Sequence, residues 1–324
     1  MSKRTTAFLL ALLVTASTAI AQSKAWDILR EIVLVPGVSG HEGPVADLLQ
    51  RRLPPGFKTE RDAMHNVWFT VGAGKPHLLF VAHTDELGWI VDKVTPEGRV
   101  RVKPGGGILP QTVEARPVLI YTARGPVAGV VAPRPGYDER RPPSDAPEPS
   151  FAAENFDIFL GVGTEAEARA LGIAEGDPVA AKKTMTDFSP GLMATRAVDD
   201  RAGCAALLDA ALRLKPDAFR GKTVTFAWDV QEEIGLLGAS ELAKTLKPDY
   251  VFAIDTFVST DSPLESKRFA HLPVGKGAVL RSIDSSNITP KTEIRRVLEI
   301  ARKRGIPVQV GNSRGGNDGS VFLA

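Results

Sequence analysis

Three apolar runs most constrain what this chain of 324 residues can fold into. They are HLLFVAH at 77–83, TVTFAWDV at 223–230 and YVFAID at 250–255. LLFVA within the first is continuously apolar, as expected of a strand covered on both faces. Helical patterns alternate with these runs. SKAWDILREIVLV and GPVADLLQRRL precede them, separated by the turn-rich GVSGHEG, and VWFTV adds a further strand. DDRAGCAALLDAALRL, GLLGASELAKTL and IRRVLEIARKR follow, the last entered through Thr289 as cap and Pro290, and closed by Gly305. VQV is a final short strand. Strands alternating with helices predict an α/β fold with a mainly parallel central sheet flanked by helices.

One stretch breaks the pattern. From about residue 90 to 182, short strand signals (GRVRV, PVLIYTA, GPVAGVVA, DPVAAKK) alternate with Gly and Pro. TEAEARALG is a short helix within it, with Thr164 as cap, Glu167 three residues on and Gly172 closing it. PRPGYDERRPPSDAPEPS, residues 133–150, is expected as an exposed loop. The expected organisation is therefore a catalytic α/β domain over 22–89 and 183–324, interrupted by a small β-rich domain over 90–182.

Residues 1–21 read as a secretory signal peptide: Lys3 and Arg4, a short apolar run, then Ala19-Ile20-Ala21. The expected location is extracytoplasmic, periplasmic or secreted, with no membrane span after cleavage. Without Lys3 and Arg4 the basic groups are level with the 38 acidic ones. No basic stripe exists to attract a phosphate backbone, which argues against nucleic acid as a partner. The single cysteine, Cys204, lies in an apolar helical stretch and reads as a small core residue.

The ionisable groups fall at matching places in the pattern. His83 and Asp85 follow one apolar strand, Glu232 and Glu233 the second, Asp255 the third, and Asp199 with Asp200 opens a long helix. Each has an ordinary structural reading: a hydrogen-bonded imidazole, a solvated pair, a turn, an N-cap. Together they lie at the carboxyl ends of the strands, where open α/β sheets place their site crevice. Several carboxylates in one crevice repel and resist desolvation unless cations join them. One imidazole among carboxylates suits zinc, cobalt or manganese better than calcium.

HTDELG, AVDDRAGC, VQEEIGLLGA and AIDT, in this order, resemble the TET-type (tetrahedral) dinuclear metallo-aminopeptidases, the glutamyl aminopeptidase or so-called endoglucanase M family. GVSGHEG, RDAMHNVWF, LGIAEGDPV, LPVGKGAVLRSIDSS and GGNDGS match that pattern too, so the resemblance covers nearly all of 24–324. It implies a zinc-peptidase-like fold and two divalent metal ions, zinc or cobalt. It implies that His83, Asp199, Glu233 and Asp255 are metal ligands, with Asp199 bridging. It makes Glu232 the general base and Asp85 the carboxylate that orients His83. It implies peptide substrates trimmed from the N-terminus, and self-association through the β-rich insertion into dimers and a hollow dodecamer.

The chain departs from that pattern in places. The family carries a further histidine ligand near its C-terminus, whereas this chain has His41, His65, His77, His83 and His271 and none beyond. The sequence is thus expected to stop short of the family's length, with one metal lacking a ligand. Asn317 stands where the family more often has threonine. An inactive relative that binds peptides or assembles with partners is one alternative, and an amidohydrolase or deacylase of the same clan another. Glu86 belongs to the matching motif, but the sequence assigns it no role.

Overall fold

The computed structural model describes residues 24–108, 112–132, 157–189, 191–215, 219–261 and 272–322. The leader at 1–21, the loop at 133–150 and His271 lie outside the described residues. Two helices open the described residues, α1 (Lys24–Ile32) and α2 (Gly43–Arg52). Strands β1 (Thr59–Arg61) and β2 (Val67–His83) follow. β2 joins the two expected strands VWFTV and HLLFVAH into one long element with two limbs. Next come β3 (Gly88–Val94), β4 (Val100–Gly105), β5 (Pro117–Thr122), β6 (Gly125–Val131), β7 (Asp157–Phe159), α3 (Glu165–Ala170) and β8 (Pro178–Ala181). A hairpin, β9 (Thr186–Ser189) and β10 (Leu192–Ala194), leads to α4 (Val198–Leu212), β11 (Arg220–Asp229), α5 (Leu237–Thr245) and β12 (Tyr250–Ala253). β13 (Ala278–Ile283), α6 (Lys291–Arg304), β14 (Val308–Asn312) and a 3-10 turn at Asp318–Phe322 complete it.

The central sheet has β11 lying between the two limbs of β2. Phe226 pairs with Phe69 on one side and Phe80 on the other, and the two registers run in opposite senses. The second limb is parallel to β11 and to β12, whereas the first limb is antiparallel to β11 and to β1. Phe69, Phe226, Phe80 and Phe252 therefore stack in a row across four neighbouring segments, with ring centroids 4.9–5.5 Å apart. Such offset cross-strand rings add to the area they bury. α1, α2 and α4 cover one face, where Ile32, Leu49, Leu208 and Trp228 form the main core. Leu79, Val81, Ala227 and Leu242 form a second cluster on the other face, beneath α5.

Strands β3, β4, β7, β6, β5 and β8 close into a barrel with its own core of Val100, Ile120, Ile158 and Val179. Closure removes free strand edges from a small antiparallel sheet. The cap of α3 forms as its sequence predicts: Thr164 Oγ1 accepts the Glu167 N–H at 3.3 Å. The cap of α6 does not. Pro290 holds the N-cap position, while the Thr289 hydroxyl donates to the Arg281 carbonyl at 2.8 Å and ties the helix entrance to β13. Among the described residues, no helix is long and apolar enough to cross a membrane.

Candidate active site

The parallel part of the sheet delivers its carboxyl ends side by side. Asp229, at the end of β11, is in register with His83, at the end of β2. β12 lies on the other side of that limb and ends two residues before Asp255. A cavity of about 1100 Å³ opens over this edge, lined among others by His83, Asp199, Glu232, Glu233 and Asp255. One ligand atom from each of His83, Asp199 and Asp255 lies within 4.8 Å of the other two. Glu232 and Glu233 line the same cavity outside that cluster of three.

The paired aspartates divide their work. The Asp199–Asp200 peptide bond is cis, and Asp199 is extended, with φ −80° and ψ 115°. Its side chain faces the cavity, with Oδ1 3.2 Å from His83 Nε2. Asp200 turns inward, is fully buried, and accepts the Gly203 N–H at 3.0 Å, the bond of a helix cap. A Cβ at Gly203 would stand 2.3 Å from Asp200 Oδ2, so this close approach requires glycine.

Asp85 is buried and fully engaged. Its Oδ1 lies 3.2 Å from His83 Nδ1, and Ser39 Oγ donates to Oδ2 at 2.6 Å. It also accepts the backbone N–H groups of Glu232 at 3.0 Å and Glu233 at 3.2 Å. The same carboxylate thus orients the imidazole and the acidic loop. Burial alone would raise the Asp85 carboxyl, but His83 and these donors outweigh it and hold it below its usual value. Burial would likewise push the His83 imidazole down, and Asp199 and Asp85 together hold it well above.

Around this pair the acids are pushed the other way. Burial raises Glu232 and Glu233 to about 7 each, with neighbouring carboxylates adding to it. Burial also raises Asp255, despite Arg281 Nη2 donating to its Oδ2 at 3.1 Å. Such a crowd of acids, raised by burial and by one another, is costly to ionise without a cation among them. Its donor set, one imidazole nitrogen and several carboxylate oxygens, fits a divalent cation.

Sequence reasoning left several participants unnamed. Arg281 holds Asp255, and Nη1 donates to the Gly316 carbonyl at 2.9 Å. Asn66 Oδ1 accepts the Val230 N–H at 3.1 Å. A Cβ at Gly238 would stand 2.3 Å from the Val230 carbonyl, so the second glycine of VQEEIGLLGA lets α5 pack against this turn. Glu86 is buried among cations: Lys183 Nζ at 2.6 Å, Arg196 Nη1 at 2.9 Å and Arg201 Nη2 at 3.8 Å. The Cys204 thiol donates to the His83 carbonyl at 3.0 Å and lies fully buried, a core residue as read. Ser39, Asn66 and Arg281 all sit in motifs that carried the resemblance, and that was the signal that could have found them.

The model of the M42 glutamyl aminopeptidase family matches residues 66–324. The chain belongs to the M42 peptidase family. This M42 peptidase is 28% identical over 306 residues to the glutamyl aminopeptidase of Lactococcus lactis, covering 92% of this chain and 84% of that protein. It is 29% identical over 288 residues to the lysyl aminopeptidase of Pyrococcus furiosus, covering 88% and 80%. Its fold matches the TET1 peptidase of Pyrococcus horikoshii with a TM-score of 0.83 at 32% identity, covering 92% of this chain and 87% of that one. That peptidase can assemble into a tetrahedron or a large octahedral shell. The M42 peptidase described here is a hydrolase acting on peptide bonds, a metallo-aminopeptidase with the zinc-peptidase-like α/β fold. M42 metallopeptidases use divalent metals. One expectation is corrected: the TET and lysyl relatives are cytosolic, which overturns the extracytoplasmic placement based on residues 1–21.

Proposed function

We propose that this chain is a dinuclear aminopeptidase that removes N-terminal residues from peptides, with Glu232 as general base. The observation that carries the reading is the joint position of His83, Asp199 and Asp255, three possible ligands within 4.8 Å, in a cavity that Glu232 and Glu233 also line. His83, Asp199, Glu233 and Asp255 are the residues that would hold the ions. Bound divalent ions there supply a Lewis acid for the scissile carbonyl and lower the pKa of water. Glu232 takes the proton from the attacking water and returns it to the leaving amine. Glu232 is partly buried and lines the cavity beside the proposed ligands, within reach of a water held there. Asp85 keeps His83 in one orientation, as a carboxylate behind a ligating imidazole does. Zinc and cobalt both suit the donors.

Residues 90–182, which carry the barrel except for the first two residues of β3, are proposed as a separate module through which copies pair, on the precedent of the Pyrococcus horikoshii assemblies. The test of the catalytic reading compares a free aminoacyl p-nitroanilide with its N-acetylated form, using the zinc- or cobalt-loaded chain. Cleavage of the free amine alone, abolished by a chelator, is the expected outcome. Preference for the acetylated substrate would instead favour a deacylase. No cleavage of either by a chain holding two ions would favour a binding protein.

A further inference from the structure

Four successive backbone N–H groups at the active-site turn are each held by a buried or partly buried side chain. Val230 donates to Asn66, Gln231 to Glu42 Oε1 at 3.0 Å, and Glu232 and Glu233 to the two oxygens of Asp85. Gln231 has φ +56°, a left-handed conformation costly for any residue with a side chain. Backbone of that kind persists when its surroundings over-determine it. The side chains that hold the turn come from GVSGHEG, RDAMHNVWF and HTDELG, three motifs far away in sequence.

Glu42 is the member with no assignment. It is fully buried at the N-cap position of α2, yet its side chain makes no capping bond. Glutamate is not among the side chains that favour a helix start. Its Oε1 instead accepts from both Gly40 at 2.9 Å and Gln231, while Oε2 is buried and meets no partner among the described residues. A half-satisfied buried carboxyl is an expensive way to begin a helix. Its position is accounted for by the bond to Gln231, next to Glu232.

We propose that Glu42 is a positioning residue for Glu232: through the Gln231 N–H it fixes the left-handed turn that aims both glutamates into the cavity. The proposal rests on Glu232 being the base. Because the bond needs only an acceptor oxygen, a glutamine at this position keeps it and an alanine loses it.

The test uses the full chain with Glu42→Ala, Glu42→Gln and Glu232→Gln, loaded with zinc. Glu42→Ala is expected to lower kcat on an aminoacyl p-nitroanilide by ~10- to 100-fold, the scale of an ångström's misplacement. Because Glu233 rides on the same turn, kcat is compared at saturating zinc; KM should stay near wild type there, and Glu42→Gln should recover most of kcat. Hydrogen exchange of the metal-free proteins gives a readout free of activity. The peptide spanning 230–236 should exchange faster in Glu42→Ala and at the wild-type rate in Glu42→Gln. Unchanged exchange there, or faster exchange confined to α2 with kcat intact, overturns the proposal. So does Glu42→Gln as slow as Glu42→Ala, because charge rather than geometry would then be at work. Full turnover by Glu232→Gln would sink the base assignment instead, and the exchange data would still decide whether Glu42 holds the turn.

Discussion

The Asp85 carboxylate accepts the backbone N–H of Glu232 at 3.0 Å while its Oδ1 also faces the His83 ring at 3.2 Å. Imidazole and proposed base are therefore set by one group. In Asp85→Asn, the amide NH2 would meet a donor, from Ser39 or from the 232–233 backbone, whichever way it is flipped. Metal affinity and kcat are both expected to fall by ~10- to 100-fold, as for other carboxylates behind a ligating histidine. Metal titration followed by kinetics at saturating metal checks the two effects separately.

Glu232→Gln keeps the size of the side chain and removes its proton acceptor. kcat should drop by at least ~100-fold, the lower range for losing a general base. Elemental analysis should find metal content unchanged. A variant that loses metal together with turnover would make Glu232 a ligand rather than the base.

Glu86 answers a question the sequence left open. It lies where β2 passes into the barrel, and meets Lys183 and Arg196 where the chain returns from it. Removing one partner of a buried ion pair strands the others, at a cost of ~3–5 kcal/mol. Urea unfolding of Glu86→Ala should show a loss of that order, with Glu86→Gln losing less. A loss below about 1 kcal/mol would mean that water reaches Lys183 and Arg201.

The acid crowding should make the metal-free protein unusually dependent on pH. Burial raises Glu42, Asp229, Glu232 and Glu233 each to about 7, from ordinary values of 4.5 or 3.8. The folded form then binds more protons than the unfolded chain between those values and 7. Stability is fullest below the ordinary values and is lost as pH rises through 7. His41 and His77, lowered by burial, act in the opposite sense below pH 6.5, but Asp200, Asp255 and Asp318 are raised by burial as well, so the raised acids prevail. Tm without metal should be higher at pH 5.5 than at pH 8. Zinc should flatten the difference, since a bound cation keeps its carboxylates ionised.

Much of this architecture was legible in the sequence, for a physical reason. Burial on both faces leaves a continuous apolar run, so HLLFVAH and YVFAID announced strands and placed His83 and Asp255 at one sheet edge. The sharp reversal of β2 around β11 was not legible, because periodicity reports a segment's faces and not its neighbours. Thr289 had the residue type of a cap but bonds to Arg281, where tertiary contact overrides local preference. Glu42 and Glu86 were opaque for the same reason. A carboxylate looks alike in sequence whether it is solvated or buried among donors, and only Gln231, Lys183 and Arg196, far away in the chain, give the two their meaning.

The central claim is a metal centre built on His83, Asp199, Glu233 and Asp255. Elemental analysis of the zinc- or cobalt-loaded chain after exhaustive dialysis tests it most directly. Two ions per chain, falling to one or none in Asp199→Asn, is the result predicted. No tightly held metal in the wild type, or two ions retained in Asp199→Asn, would contradict it.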